Sequence, residues 1–157
     1  MKKINIILLL FAFALFACST NEKLDDEVDL DYLKSLSRKI EKVWNESDFE
    51  GFMTLIDEEA IFKGPDNSPL VGIDALRDFY NGFFNALTFN VEITSEEIFV
   101  FGDYAYSLEI WKGSMNPKDG SEPIFFDNTD MALYKRQADN TWKIWRTMYN
   151  TNSPVSE

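Results

Sequence analysis

The stretch DNTDMALYKRQADNTWKIWRTMYN, residues 127–150, decides the fold. Two runs rich in aromatic and aliphatic residues flank Ala138-Asp139-Asn140, a short turn-forming tripeptide, so the stretch predicts an antiparallel β-hairpin. Working outward, residues 88–101, 104–115 and 123–137 are further long β-rich runs. Gly102-Asp103 and Asn116-Pro117-Lys118-Asp119-Gly120 are turn-like joints between them, which extends the hairpin to a meander ending with residues 141–150.

Upstream of residue 88 the period changes. Leu33, Leu36, Ile40, Val43 and Trp44 recur at three-and-four spacing, with Lys34, Arg38, Lys39 and Lys42 largely off that stripe, predicting an amphipathic helix over residues 31–46. Asp48 can cap a short second helix burying Phe52, Leu55 and Ile56. Residues 60–63 read as a short strand, stopped by Gly64-Pro65-Asp66-Asn67-Ser68-Pro69. Asp74 is placed to cap a third helix with the stripe Leu76, Phe79, Tyr80, Phe83, Phe84 and Leu87. Helices first and strands afterwards give an α+β domain over residues 29–150, with three helices packed on a curved antiparallel sheet. Its 14 Phe, 6 Tyr and 4 Trp supply enough apolar area for one core without disulfides.

The N-terminus is of another kind. Lys2 and Lys3 precede an apolar run over residues 6–17, too short to span a bilayer and suited to a signal h-region. Leu15-Phe16-Ala17-Cys18 closes it with a small residue before the only cysteine. An ordinary secretory signal cut after Ala12-Phe13-Ala14 is the competing reading. Residues 18–28 are polar and acidic and read as a tether unable to order itself, and residues 151–157 as a polar tail. The net charge of −12 would repel phosphate backbones, which argues against nucleic acid and against a basic membrane-binding patch.

Leu15-Phe16-Ala17-Cys18 resembles the bacterial lipobox, which implies residues 1–17 as a lipoprotein signal peptide and Cys18 as the lipidated residue. An exported, lipid-anchored cell-envelope protein follows as an expectation, at the outer membrane or its surface. The domain resembles the SnoaL-like family, especially its domain of unknown function 4440 members, within the nuclear-transport-factor-two-like superfamily. The resemblance rests on ordered pieces: Trp44 with Ser47-Asp48-Phe49-Glu50-Gly51-Phe52-Met53; Asp57 with Ala60-Ile61-Phe62; Gly72-Ile73-Asp74-Ala75-Leu76-Arg77-Asp78-Phe79-Tyr80; Gly102-Asp103-Tyr104-Ala105-Tyr106; Lys118-Asp119-Gly120; and Arg136-Gln137-Ala138-Asp139-Asn140-Thr141-Trp142-Lys143-Ile144. It implies a cone in which a bent sheet wraps helices around a cavity, and dimers through the outer sheet face. It implies no single reaction.

Pairing the last two strands about Asp139-Asn140 puts Asp127, Thr129, Met131 and Leu133 on one face with Trp142, Ile144, Arg146, Met148 and Asn150, a face assigned inward. Tyr134, Trp145 and Tyr149 would then lie outside and suit a homodimer interface. For residues 104–115 the alternation leaves the inward face open. The resemblance favours Ala105, Ser107, Glu109 and Trp111 inward, with Trp44 arriving from the first helix. Asp127 or Glu109 could then act as a general base or neutral hydrogen-bond donor, with Arg146 stabilising an enolate or binding a carboxylate. Trp44, Trp111, Met148 and Asn150 would touch the ligand. The structural alternative is that Arg146 only neutralises a buried carboxylate, and that the tryptophans are core.

The chain has no histidine, so the commonest proton shuttle is absent, and no metal or other cofactor is expected. Asp127-Asn128-Thr129-Asp130 lacks the glycine and distal glutamate of a calcium loop and reads as solvated or structural. Three functions remain in view. The first is binding of a small apolar or carboxylated molecule, without catalysis being implied. The second is proton transfer on a carbonyl compound by an isomerase- or cyclase-type enzyme. The third is a non-catalytic envelope interaction module.

Overall fold

The computed structural model describes residues 22–152, with side chains from residue 27 onward. Residues 1–17, Cys18, the start of the tether and residues 153–157 lie outside them. Helix α1 (Glu22–Asn45) turns Leu33, Leu36, Ile40 and Val43 into the core, as the periodicity predicts. It starts well before residue 31, so part of the stretch read as an unstructured tether is helical. The charge pattern hid an anchor: Asp29 is buried, and Arg136 and Trp142 of the last hairpin both donate to its carboxylate.

Helix α2 (Phe49–Thr54) is capped by Asp48, whose side chain accepts from the Gly51 N–H at 2.8 Å. Strand β1 (Ile56–Lys63) is longer than expected, because Ile56 and Ala60 pack in the core. The two-residue strand β2 (Leu70–Val71) pairs antiparallel with it. Helix α3 (Ile73–Ala86) begins after Gly72 at φ 82°, a left-handed conformation that favours glycine. Asp74 therefore sits in the first turn, where its charge favours the helix dipole, and is not the cap.

Strands β3 (Leu87–Phe101), β4 (Tyr104–Pro117), β5 (Ile124–Arg136) and β6 (Trp142–Thr151) form the expected meander. The whole sheet has the order β2-β1-β6-β5-β4-β3. It is not antiparallel throughout, since β1 and β6 pair parallel. A chain that leaves β1 through helix α3 and three strands can return along its other edge in the same direction, a long-range pairing that local pattern does not encode. Bulges in β3 after Ser95 and in β6 at Trp145 interrupt the ladders and increase local twist, bending the sheet around the helices. At Gly113 the β3 backbone comes so close that a Cβ would meet the Asn90 carbonyl oxygen at 1.9 Å, so the pairing needs glycine there.

Candidate ligand-binding cavity

Between the inner sheet face and the helices lies a cavity of about 510 Å³. Its apolar wall follows from three periodicities meeting. Trp44 arrives from α1, Phe52 from α2, Tyr80 and Phe83 from the stripe of α3, and Trp111 from the inward phase of β4. Trp44 is the hub, with ring centroids 5.4 Å from Phe52, 5.9 Å from Tyr80, 6.1 Å from Phe83 and 5.8 Å from Trp111. Its indole N–H is buried without an acceptor among the described residues.

The polar part of the wall is acidic. On β4, Ala105, Ser107 and Glu109 are buried on the inner face. Three donors converge on the Glu109 carboxylate: the Ser37 hydroxyl at 2.6 Å and the Ser95 hydroxyl at 3.3 Å on Oε1, and the Trp111 indole N–H at 3.0 Å on Oε2. The residue directly opposite Glu109 across the β4–β5 ladder is Asp130. Asp130 also lines the cavity and accepts from the Thr147 hydroxyl at 2.7 Å. Burial pushes its carboxyl up to about 7, opposed by the Thr147 hydrogen bond and reinforced by the charge of Glu109. Burial likewise raises the phenols of Tyr80, Tyr134 and Tyr149, and the nearby Asp130 adds to each. Among the described residues no lysine or arginine lines the cavity. A carboxyl that changes protonation near neutrality against an aromatic wall can donate a hydrogen bond, accept a proton or pair with a cation.

Glu109, Trp44 and Trp111 thus lie together at the cavity, while Asp127, Arg146, Met148 and Asn150 do not. The reason is one residue. Leu133 pairs with Arg146, but Tyr134 pairs with Ile144, leaving Trp145 as a bulge. Beyond the bulge the alternation reverses, so Trp142, Ile144, Thr147 and Tyr149 face inward and Arg146, Met148 and Asn150 outward. Asp127, Thr129, Met131 and Leu133 share that outer face. Asp127 pairs with Lys112 at 3.1 Å and accepts from Asn152, both of which hold its carboxyl below the usual range. The Arg146 guanidinium lies 3.8 Å above the Trp145 ring and donates to the Glu59 and Trp145 carbonyls. Met148 is 63% exposed. Tyr134 and Tyr149, expected outside, are inner residues; of the three aromatics assigned to the outer face only Trp145 belongs there.

The residue missed is Asp130, set aside as part of a solvated acidic run. Its signal was its phase: it alternates with Ala132 and Tyr134 and lies in register with Glu109. Among the described residues no group of three or more His, Cys, Asp or Glu side chains could hold a metal ion.

Residues 37–146 match the family described as the SnoaL-like domain. No curated protein matches the chain in sequence. Solved structures share the fold. A ketosteroid isomerase-like protein from Erwinia carotovora atroseptica is 18% identical with a TM-score of 0.72, covering 80% of this chain and 98% of its own. A conserved protein from Planctomyces limnophilus is 15% identical with a TM-score of 0.73 and the same coverage, 80% and 98%. A nuclear transport factor 2-like superfamily protein from Salmonella enterica serovar Typhimurium is 12% identical with a TM-score of 0.67, covering 82% and 96%. At these identities the likeness speaks for the fold alone.

Proposed function

Because the chain belongs to the SnoaL-like domain family, whose fold hosts many chemistries, we propose a function from the cavity itself: it binds one small, largely apolar molecule. The observation that carries this is the 510 Å³ aromatic chamber with the carboxyl of Asp130 on its wall. A carboxylated ligand is disfavoured, because that expectation needed Arg146 inside and the acidic wall would repel an anion. The test is a thermal-shift screen of small metabolites, run beside Ala132→Phe, which fills the chamber from a buried wall position. A ligand at a hundred times its dissociation constant should add about 2.7 kcal/mol of stability. Hits that vanish in a folded Ala132→Phe protein support binding in the chamber. Hits that persist there place the site elsewhere and sink the proposal.

Asp130 favours a second reading, an enzyme of isomerase or lyase type. Its carboxyl near 7 suits proton transfer next to a carbonyl, with Tyr80 or Tyr149 as hydrogen-bond donor to the developing oxyanion. Turnover of a carbonyl hit should then show an inflection near pH 7 and disappear in Asp130→Asn while binding remains. Binding with no turnover leaves the protein a carrier or sensor.

The proposal includes an address, the cell envelope, with lipid on Cys18. Its support is the sequence of residues 2–18. Replacing Cys18 with Ser should release the protein from membranes or block its processing; unchanged size and fractionation would remove the anchor from the proposal.

A further inference from the structure

Five carboxylates, Asp29, Asp57, Asp127, Glu109 and Asp130, fall into two kinds. Asp29 pairs with Arg136 at 2.5 Å, Asp57 with Lys135 at 3.8 Å and Asp127 with Lys112 at 3.1 Å, all at the periphery of the sheet. Glu109 and Asp130, opposite one another on the inner face, have no ion-pair partner among the described residues. Their hydrogen bonds are unequal. Both oxygens of Glu109 are engaged by Ser37, Ser95 and Trp111, whereas among the described residues Asp130 receives Thr147 on Oδ1 and no donor on Oδ2. The chamber therefore presents one carboxylate oxygen without a donor, backed by a second carboxylate, among the electron-rich faces of Trp44, Trp111, Tyr80 and Phe83. We infer that the ligand is an organic cation, an aromatic or alkyl amine whose ammonium group meets Asp130 Oδ2 and whose apolar body fills the aromatic wall. This rests on the chamber being a binding site, as proposed above.

An ammonium ion supplies what this wall lacks. It donates to the open oxygen, its charge relieves the repulsion between Glu109 and Asp130, and a cation over an aromatic face gains further attraction from the ring. A neutral ligand whose oxygen accepts a hydrogen bond from Asp130 itself makes the opposite demand, since that contact needs the carboxyl protonated. The groups facing Asp130 are Glu109 from β4, Tyr134 from β5, Tyr149 from β6 and Tyr80 from α3. None of them is a cation, and burial moves the three phenols further above neutrality, so the pH dependence of binding between about pH 6 and about pH 8 is assigned to Asp130, with Asp130→Asn as its control.

The experiment is calorimetric titration of the full-length protein with phenethylamine and with its neutral counterpart phenethyl alcohol, at about pH 6 and about pH 8. The amine needs ionised Asp130, so with a carboxyl near 7 its affinity should rise about tenfold across this interval, with a proton released on binding. At the higher pH it should bind about tenfold tighter than the alcohol. Asp130→Asn should lose this preference and its pH dependence while still binding the alcohol. Glu109→Gln should keep amine binding and move its midpoint to lower pH. An amine that binds no better than the alcohol, or tightens toward pH 6, overturns the inference and leaves the apolar-ligand proposal standing. Failure of both probes in protein with an unchanged melting transition removes both.

Discussion

Asp130 is held in the folded chain with its proton affinity raised from the usual carboxylate value to about 7, chiefly by burial. Between those two values the native state binds more protons than the unfolded chain, so this residue makes stability fall as pH rises from about 4 to about 7. Below that window both states are protonated and the residue contributes nothing; above it the penalty is complete. Asp130→Asn keeps an acceptor for the Thr147 hydroxyl and removes the charge. The variant should match the parent near pH 4 and exceed it above pH 7 by roughly 1–3 kcal/mol in urea unfolding. Equal destabilisation at every pH would mean that the native carboxylate is fully satisfied. The sequence alone offered Glu109 only through a family likeness, because Tyr104, Tyr106, Leu108 and Ile110 make the wrong face of β4 look more apolar. Asp130 was hidden for a related reason: an acidic neighbour, Asp127, stands three residues away on the opposite face and pairs with a lysine.

At the scale of elements, the hairpin of β5 and β6 grips the N-terminal helix through a three-residue clasp. Arg136 donates to both oxygens of Asp29 at 2.7 and 2.5 Å, lies 4.3 Å over the Trp142 ring, and leaves the Trp142 indole N–H to donate to Asp29 at 3.1 Å. The Arg136 hydrogen bonds outweigh desolvation and hold the Asp29 carboxyl below its usual value. The stabilisation is thus present above about pH 4 and lost as pH falls through the depressed folded value. Arg136→Met should cost roughly 2–4 kcal/mol at neutral pH, with the deficit shrinking in acid, because it strands a buried carboxylate. A neutral-pH change below about 0.5 kcal/mol would show that the clasp is ornamental. Local periodicity sufficed for the face of α1 and for the four long strands, whose signals lie within a few residues of each other, but it overran α2: Leu55, expected on its buried face, is the residue after its last turn, and Ile56 opens β1. It could not supply the parallel β1–β6 pairing or the bulge at Trp145, which are set by contacts far apart in sequence. That bulge alone exchanged the expected site residues of β6 for Thr147 and Tyr149.

At the scale of the molecule, the outer sheet face remains without a partner among the described residues. Phe99, Phe101, Met131 and Met148 are each more than half exposed there. The ladder makes them neighbours of further apolar groups, with Phe99 opposite Tyr106, Tyr106 opposite Leu133, Leu108 opposite Met131 and Met131 opposite Met148. So contiguous an apolar surface is uncommon on a monomer, and a twofold pairing of identical faces would cover it in both copies at once. A stable pairing buries about 800 Å² on each side, the scale of a four-strand face. The net charge of −12 works against it, since two acidic copies repel. Self-association should therefore strengthen as salt screens that repulsion, the reverse of an interface held by ion pairs. Sedimentation velocity over a range of protein and salt concentrations is the measurement. We expect a dimer favoured by salt, and a monomer for Phe99→Glu combined with Met131→Glu, two changes on the outer face that leave the cavity wall untouched. A parent chain that stays monomeric at every salt concentration would leave this apolar face without a second copy as its cover.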